Sequence, residues 1–290
     1  MQIPASHADL LDRPLPAALT THFGSGRLQS SVVWFWRDAD AVCLSTMAEF
    51  VKARNLRERS RATLVVWDDD GRWLELRCAA AELPQTRAEA LAACDDVAFR
   101  YCGVRPYFGG VVPARWAEKE HPVTFRFTPD AVTAGRRTPG DRHVPPPPAP
   151  RDTAETTEPA GVGAELHPTE GSAAVPGPAA PGWAAPAAPI VPPSHRGLFV
   201  DSAVSLLATR DEGSHARVQP VPCELVGQRP AVRPTREQVD DLGRDPRPTL
   251  HVVDPTDSGR WIEVRADAVP GADGWWTLVP RHVVVDAVHP

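Results

Sequence analysis

The side chains best suited to chemistry stand close together between Leu44 and Val66, in the stretch LSTMAEFVKARNLRERSRATLVV. Lys52, Arg54, Asn55 and Arg57 place cationic and amide groups on one short segment of helical composition. A helix start with Lys and Arg beside it suits a phosphate, because free N–H groups and the macrodipole favour an anion. Thr46 and Glu49 have capping-box spacing and are expected to close that helix start. The same pattern also fits a plain amphipathic helix that buries Phe50, Val51 and Leu56 and solvates its charges. Other chemistries have less support. Ser30, Ser31 and Ser45 lack a His or Asp at a spacing that suggests a nucleophile with its base. Cys43, Cys78, Cys94, Cys102 and Cys223 form no C-x-x-C pair, and no two histidines are spaced H-x-x-x-H. Neither a metal site nor a disulfide framework is therefore expected. Tyr101 and Tyr107 are the only tyrosines, and for each a packing role is expected over proton donation.

These residues need a scaffold, and the composition allows one. With 42% hydrophobic residues in 290, the chain has material for about two domains. A net charge of −6 gives no basic footprint for nucleic acid. No stretch approaches the roughly 20 apolar residues of a membrane span. The opening MQIPASHADLL has no basic segment followed by an apolar run, so a cytoplasmic protein is expected.

In chain order, a possible helical turn near Leu10 is followed by strand-like runs at 17–23, 28–37, 41–46, 61–67 and 72–81. A helix is expected over 85–101 and a last strand over 123–127, ending at Thr128-Pro129-Asp130. Short strands with turn signals and an inserted helix suggest a small barrel. From Pro139 to Pro193 the composition shifts: these 55 residues hold 15 of the 33 prolines. Such a segment buries too little apolar surface to offset its ordering entropy, so a disordered Pro/Ala-rich linker is expected.

The chain then repeats itself. Gly71-Arg-Trp-Leu-Glu-Leu-Arg77 returns as Gly259-Arg-Trp-Ile-Glu-Val-Arg265. Leu19-Thr-Thr21 ahead of Gln29 is matched by Leu207-Ala-Thr209 ahead of Gln219, and the capping box recurs as Thr235 to Gln238. The closing strands match around Pro129 and Pro280. The expected fold class is mainly β with α: two tandem split barrels, spanning 1–135 and 197–290, joined by the linker 136–196. In the second copy the helix is shorter, the cationic group has become acidic, and the region matching 85–121 is missing.

The first half resembles the FMN-binding split-barrel superfamily, the pyridoxamine 5′-phosphate oxidase-like proteins, in its flavin- and deazaflavin-dependent oxidoreductase branch. The resemblance rests on Leu19-Thr-Thr21, Gln29-Ser-Ser-Val-Val-Trp-Phe35, Lys52-Ala-Arg-Asn-Leu-Arg57 with Arg61-Ala-Thr-Leu64, Tyr101-Cys-Gly103 and Phe127-Thr-Pro129. It covers about residues 10–133, and the second half matches as a degenerate copy. Val32 replaces the family's usual proline, and Arg59-Ser-Arg61 its usual N-P-R or D-P-R. The resemblance implies a cofactor, FMN or coenzyme F-420, lying across the interface of two barrels. Carried over by position, Lys52, Arg54 and Asn55 would take phosphate with Thr46 at the helix cap, and Ser31, Val33 and Trp34 would line the ring. The second copy would close the other wall with Trp275 or Arg233, as an intramolecular pseudo-dimer; a homodimer of first halves is the other arrangement. The implied activity is hydride transfer to or from a small conjugated substrate. The alternative is a non-enzymatic split-barrel binding or scaffolding protein with a vestigial cofactor site.

Overall fold

The computed structural model describes residues 3–137, 190–200, 204–213, 215–254, 257 and 259–285. The proline-rich segment expected as a linker lies outside them, except for its ends. The first half contains β1 (Ala17–His22), β2 (Leu28–Val33), β3 (Trp36–Asp38), β4 (Ala41–Met47), α1 (Val51–Glu58), β5 (Arg61–Trp67), β6 (Arg72–Glu82), α2 (Arg87–Cys102) and β7 (Pro122–Arg136). The second contains α3 (Gly197–Val200), β8 (Val204–Arg210), β9 (Ala216–Pro220), β10 (Cys223–Val226), β11 (Arg229–Val232), α4 (Arg236–Arg244), β12 (Thr249–Val253), β13 (Trp261–Pro270) and β14 (Trp276–Val285).

The strand orders prove the duplication. One sheet runs β2-β1-β5-β6-β7-β4-β3; the other, read from its far edge, runs β9-β8-β12-β13-β14-β11-β10. Every strand of the first half thus has one counterpart in the second, in the same place. The match extends to irregularities. β6 and β7 slip register where Cys78 faces Pro129, and β13 and β14 slip where Ala266 faces Pro280. α2 has no counterpart, because β13 and β14 are joined by a tight turn closed by Gly271 N–H to Trp275 O at 2.8 Å.

Several expected boundaries change. The run 28–37 is two strands, broken at Trp34 and Phe35. β7 does not end at Phe127; it passes Pro129 through the register slip, which spares the ladder the N–H that proline lacks. The linker expected through residue 196 gives way to ordered chain by Val191, which is fully buried in the second core. Gln29 and Gln219 are not counterparts. Gln29 lies opposite Thr21, and the residue opposite Thr209 is Arg217; Gln219 faces Leu207 as Ser31 faces Leu19.

Each sheet buries one face in its own core. Leu19, Phe35, Leu44, Leu64, Leu76, Phe125 and Phe127 fill the first; Leu207, Val232, Leu250, Ile262, Val264 and Leu278 fill the second. A third apolar cluster contains residues of both halves: Ala18, Leu28, Val65 and Trp67 with Leu206, Val218, Val253 and Trp261. This seam explains why all six residues of β1 are buried, so that no inside–outside alternation is visible in its sequence.

Polar contacts cross the seam in pseudo-twofold pairs. Glu263 Oε1 accepts the Ser30 N–H at 2.7 Å, and Glu75 Oε1 accepts the Val218 N–H at 2.7 Å. Thr63 Oγ1 donates to Ala216 O at 2.5 Å, and Thr249 Oγ1 to Leu28 O at 2.8 Å. Ser30 and Val218 are counterparts, as are Leu28 and Ala216, so the interface is isologous within one chain. Within this chain the two halves meet across that seam.

One departure from this symmetry is informative. His251 holds the place of Val65; it is 1% exposed, stacks on Trp261, and neither ring nitrogen has a partner. Burial pulls its pKa down to about 3. The unfolded chain takes up this proton first, so stability is complete above about pH 6.5 and falls as the pH drops toward 3. His251→Val should raise stability at pH 7 by about 1–2 kcal/mol and flatten that acid loss, read by urea denaturation across pH. Glu75→Ala, which strands a buried N–H, should cost about 3 kcal/mol in the same assay.

Candidate functional site

The first turn of α1 and its counterpart in α4 are built differently. α1 follows β4 after a short turn, and its N-cap is Phe50, which contributes no side-chain hydrogen bond. The expected capping box is therefore corrected: Thr46 is a buried residue of β4 opposite Val123, and Glu49 turns away to accept from His121 Nδ1 at 2.6 Å. Pairing Thr46 into the β4–β7 ladder takes precedence over a local cap. α4 has the full box, with Thr235 and Gln238 closing on each other.

One hydrogen bond in each half fixes the alignment of these helices. Asn55 Nδ2 donates to Thr21 Oγ1 at 3.0 Å; in the second copy Thr209 Oγ1 donates to Asp241 Oδ2 at 2.8 Å. Asn55 thus corresponds to Asp241, and Lys52 to Gln238. Gln238 is fully buried and its Nε2 donates to Leu207 O at 2.8 Å. Gln219 accepts from Thr235 Oγ1 at 3.2 Å, so glutamine, threonine and glutamine seal the start of α4.

At the same place in the first half the seal is missing. Ser31, counterpart of Gln219, is 7% exposed, and its Oγ has no partner. Lys52 is half-buried and, among the described residues, forms no salt bridge. Its ammonium passes 5.3 Å from the centre of the Phe50 ring. Burial pulls its pKa down to about 8, against the pull of Glu263 from the second half. Burial likewise raises the Glu263 carboxyl, while Arg265, the Ser30 N–H and Lys52 oppose that rise. Arg265 Nη2 donates to Glu263 Oε2 at 2.9 Å and lies over the Phe23 ring. An open helix start, a cation that forms no salt bridge among the described residues and an orphaned buried hydroxyl are donors of the kind that fit a phosphate group.

The other expected residues divide. Asn55 is buried with its amide given to Thr21, which orients the helix. Arg54 is exposed, about 200° around the helix from Lys52, and does not converge with it. Val33 lies in the first core. Trp34 is half-buried and stacks on Tyr101, with centroids 5.3 Å apart and planes 15° apart. The Tyr101 hydroxyl accepts from Phe35 N and lies 2.8 Å from Leu15 O; burial raises its pKa to about 12, so it holds structure rather than a mobile proton. Arg233 and Trp275 sit at the β13–β14 turn, where Arg233 approaches Gly274. The second-half residue that acts on Lys52 is Glu263. Sequence reasoning had its motif, Gly259 to Arg265, but took it as evidence of duplication alone.

Among the described residues, no three or more metal-ligating side chains gather, and no helix is long and apolar enough to cross a membrane. α4 faces a cleft of about 270 Å³ whose wall carries Glu237, Asp240 and Asp241.

The chain is a tandem split barrel. Neither a family model nor a curated protein matches it. Solved structures do. An F-420 reductase is similar over 45% of this chain and 98% of its own, with 25% identity and a TM-score of 0.38. An FAD-binding protein from Mesorhizobium loti is similar over 46% and 94%, with 14% identity and a TM-score of 0.35. The heme storage protein HutZ from Vibrio cholerae is similar over 47% and 97%, with 13% identity and a TM-score of 0.36. Each spans about half of this chain.

Lys52 should cost stability where it stands. Lys52→Met removes a buried ammonium that only the more distant Glu263 offsets and should stabilise the ligand-free protein by about 1 kcal/mol, read by urea denaturation at pH 7.

Proposed function

We propose that the first half binds one phosphate-bearing cofactor of the flavin type, FMN or the deazaflavin F-420, and that the chain is an oxidoreductase transferring hydride to or from a small conjugated substrate. The observation that carries this reading is the asymmetry of the two helix starts. Gln219, Thr235 and Gln238 are satisfied within the second copy; in the first, Glu49 is taken by His121 and so does not cap α1, and Ser31 Oγ and the Lys52 ammonium keep open capacity. A site that had only lost its role would be expected to close like its twin.

A bound flavin or deazaflavin supplies the hydride-accepting ring itself. The chain's part is to bind and orient. Lys52, the α1 start and Ser31 take the phosphate, with Thr46 fixing the strand end beneath. Ser31, Val33 and Trp34 lie along the strand that follows the ring, where Tyr101 stiffens Trp34. Arg54 reaches a ligand only from the outer face of the helix. Glu263 holds the Ser30 N–H and so ties that strand to the second half. The second copy acts as a permanent partner, giving one cofactor per chain.

A non-enzymatic binding role is the second reading. The cleft beside acidic α4 favours it, because that concavity does not lie against Lys52.

Titration of the full chain with FMN and with F-420, followed by absorbance and fluorescence, separates these readings. One cofactor should bind saturably at one per chain. Lys52→Ala should weaken it ten- to hundredfold, the scale of one charge-assisted contact of about 1.5–3 kcal/mol. Affinity should hold below about pH 8 and fall above it as free Lys52 loses its proton. Binding without turnover of any conjugated acceptor supports the binding role; no binding of either cofactor by folded protein rejects the oxidoreductase reading and leaves the non-enzymatic role with a vestigial cofactor site.

A further inference from the structure

Elsewhere on the seam the chain gathers guanidinium and imidazole side chains, two of which, Arg59 and Arg61, form no ion pair among the described residues. His22, the last residue of β1, faces the seam as Thr20 does two residues earlier. It is 2% exposed, and its Nε2 has no hydrogen-bond partner. Arg61 opens the neighbouring strand β5 and meets the Nε2 of His215 from the second half. Arg59, at the end of α1, donates to Gly24 O at 2.9 Å. Arg210, the last residue of β8, lies so close to the hairpin that a Cβ on Gly26 would stand 2.7 Å from its Nη1. His22 senses this crowd: burial first, then Arg59, Arg210 and His215, hold its pKa down to about 4 against the pull of Asp211.

Two carboxylates nearby are committed, while Glu58 Oε2 comes within 3.5 Å of a Cβ built on Gly24. Asp211 binds Arg77 at 3.1 Å and the His215 N–H at 2.8 Å. Arg210 touches Asp245 at 3.4 Å. Among the described residues neither Arg59 nor Arg61 forms an ion pair.

The pseudo-twofold counterpart shows what is missing. Strand registers and helix alignment exchange His22 with Arg210, Arg61 with Arg247 and Arg59 with Asp245. In the counterpart, Asp245 accepts from Arg247 Nε and Nη2 at 2.7 and 2.8 Å and also reaches Arg210. One carboxylate there binds the residues equivalent to Arg61 and His22. In the first cluster the position of that carboxylate belongs to a further guanidinium, Arg59, and the positions that would face it, Arg61 and His22, keep nitrogen-bearing side chains. Arg59 and Arg61 are solvent-exposed, and their charges beside the buried imidazole would be offset by an anion that joins them.

We propose that this cluster is an anion site, in which a carboxylate or phosphoryl group of a small ligand supplies from outside the charge that Asp245 supplies from inside in the counterpart. Arg59, Arg61 and His22 bind it from the first half, Arg210 and His215 from the second. The site is separate from Lys52: Arg59 lies seven residues, about 10 Å, farther along α1. Because both halves contribute, ligand binding also clamps the seam.

The test uses full-length protein with nitrogen-15 histidine. The His22 and His215 ring resonances are followed at pH 7 while sodium phosphate or sodium acetate replaces sodium chloride at constant ionic strength. The titration is repeated in Lys52→Ala, which removes the phosphate contact proposed above. A saturable shift of both rings, retained in Lys52→Ala and weakened at least tenfold in Arg59→Asp, is the expected result. Arg59→Asp installs the counterpart's carboxylate and should leave Tm unchanged or higher, so lost binding cannot be blamed on unfolding. A response to phosphate alone assigns a phosphoryl group, and a response to both assigns any oxyanion. Shifts no larger than chloride produces, or shifts undiminished in Arg59→Asp, overturn the proposal.

Discussion

Two buried carboxylates hold this molecule's halves in register. Glu75 and Glu263 each sit in the seam and accept a backbone N–H from the other half, at Val218 and Ser30. A buried carboxylate is costly unless it is hydrogen-bonded, and here the bond it makes is the one that fixes a foreign strand. Arg77 and Arg265 stand beside them as neutralising partners. The interface therefore carries information about register as well as area. Apolar packing of Leu28, Val65, Leu206 and Val253 would tolerate a slip; two reciprocal carboxylate–amide bonds do not.

Fusing both halves into one chain frees them from having to remain identical. A homodimer must carry every site twice. A duplicated chain can keep the scaffold contacts symmetric while its two ligand-facing surfaces diverge. The seam shows the first behaviour, with Thr63 and Thr249 making the same bond to opposite halves. The helix starts show the second: Lys52 against Gln238, Ser31 against Gln219, Arg59 against Asp245. In each pair the second-half residue is satisfied within the chain and the first-half residue is left with open capacity. Polar groups left open in this way cost stability, which is why the proposed sites of the first half are sought where its twin is closed.

α2, which only the first half has, belongs to the same divergence. Its Tyr101 reaches across to Phe35 and Leu15 and stacks on Trp34, stiffening the break between β2 and β3. In the second half β13 and β14 meet in a tight turn, and this support is absent.

Much of this was legible in the sequence. The repeat G-R-W-[LI]-E-[LV]-R fixes duplication because a seven-position match reflects one ancestral strand. Turn chemistry, such as Gly71 at φ +80° after three aspartates, and runs of β-branched residues place most strands, since both are local properties of the chain. Lys52 stood out by charge and spacing alone. What only the tertiary structure decided involves partners far apart in sequence. Thr46 is a strand residue because Val123 pairs with it. Gln219 answers to Ser31 and not Gln29 because the hairpins align that way. Glu263 is a seam residue because Ser30 lies 233 positions away and yet in contact. His22, Arg59, Arg61, Arg210 and His215 form a cluster only once two barrels meet. Local sequence sets backbone preference; burial and charge balance depend on what the fold brings alongside, and no local pattern encodes that.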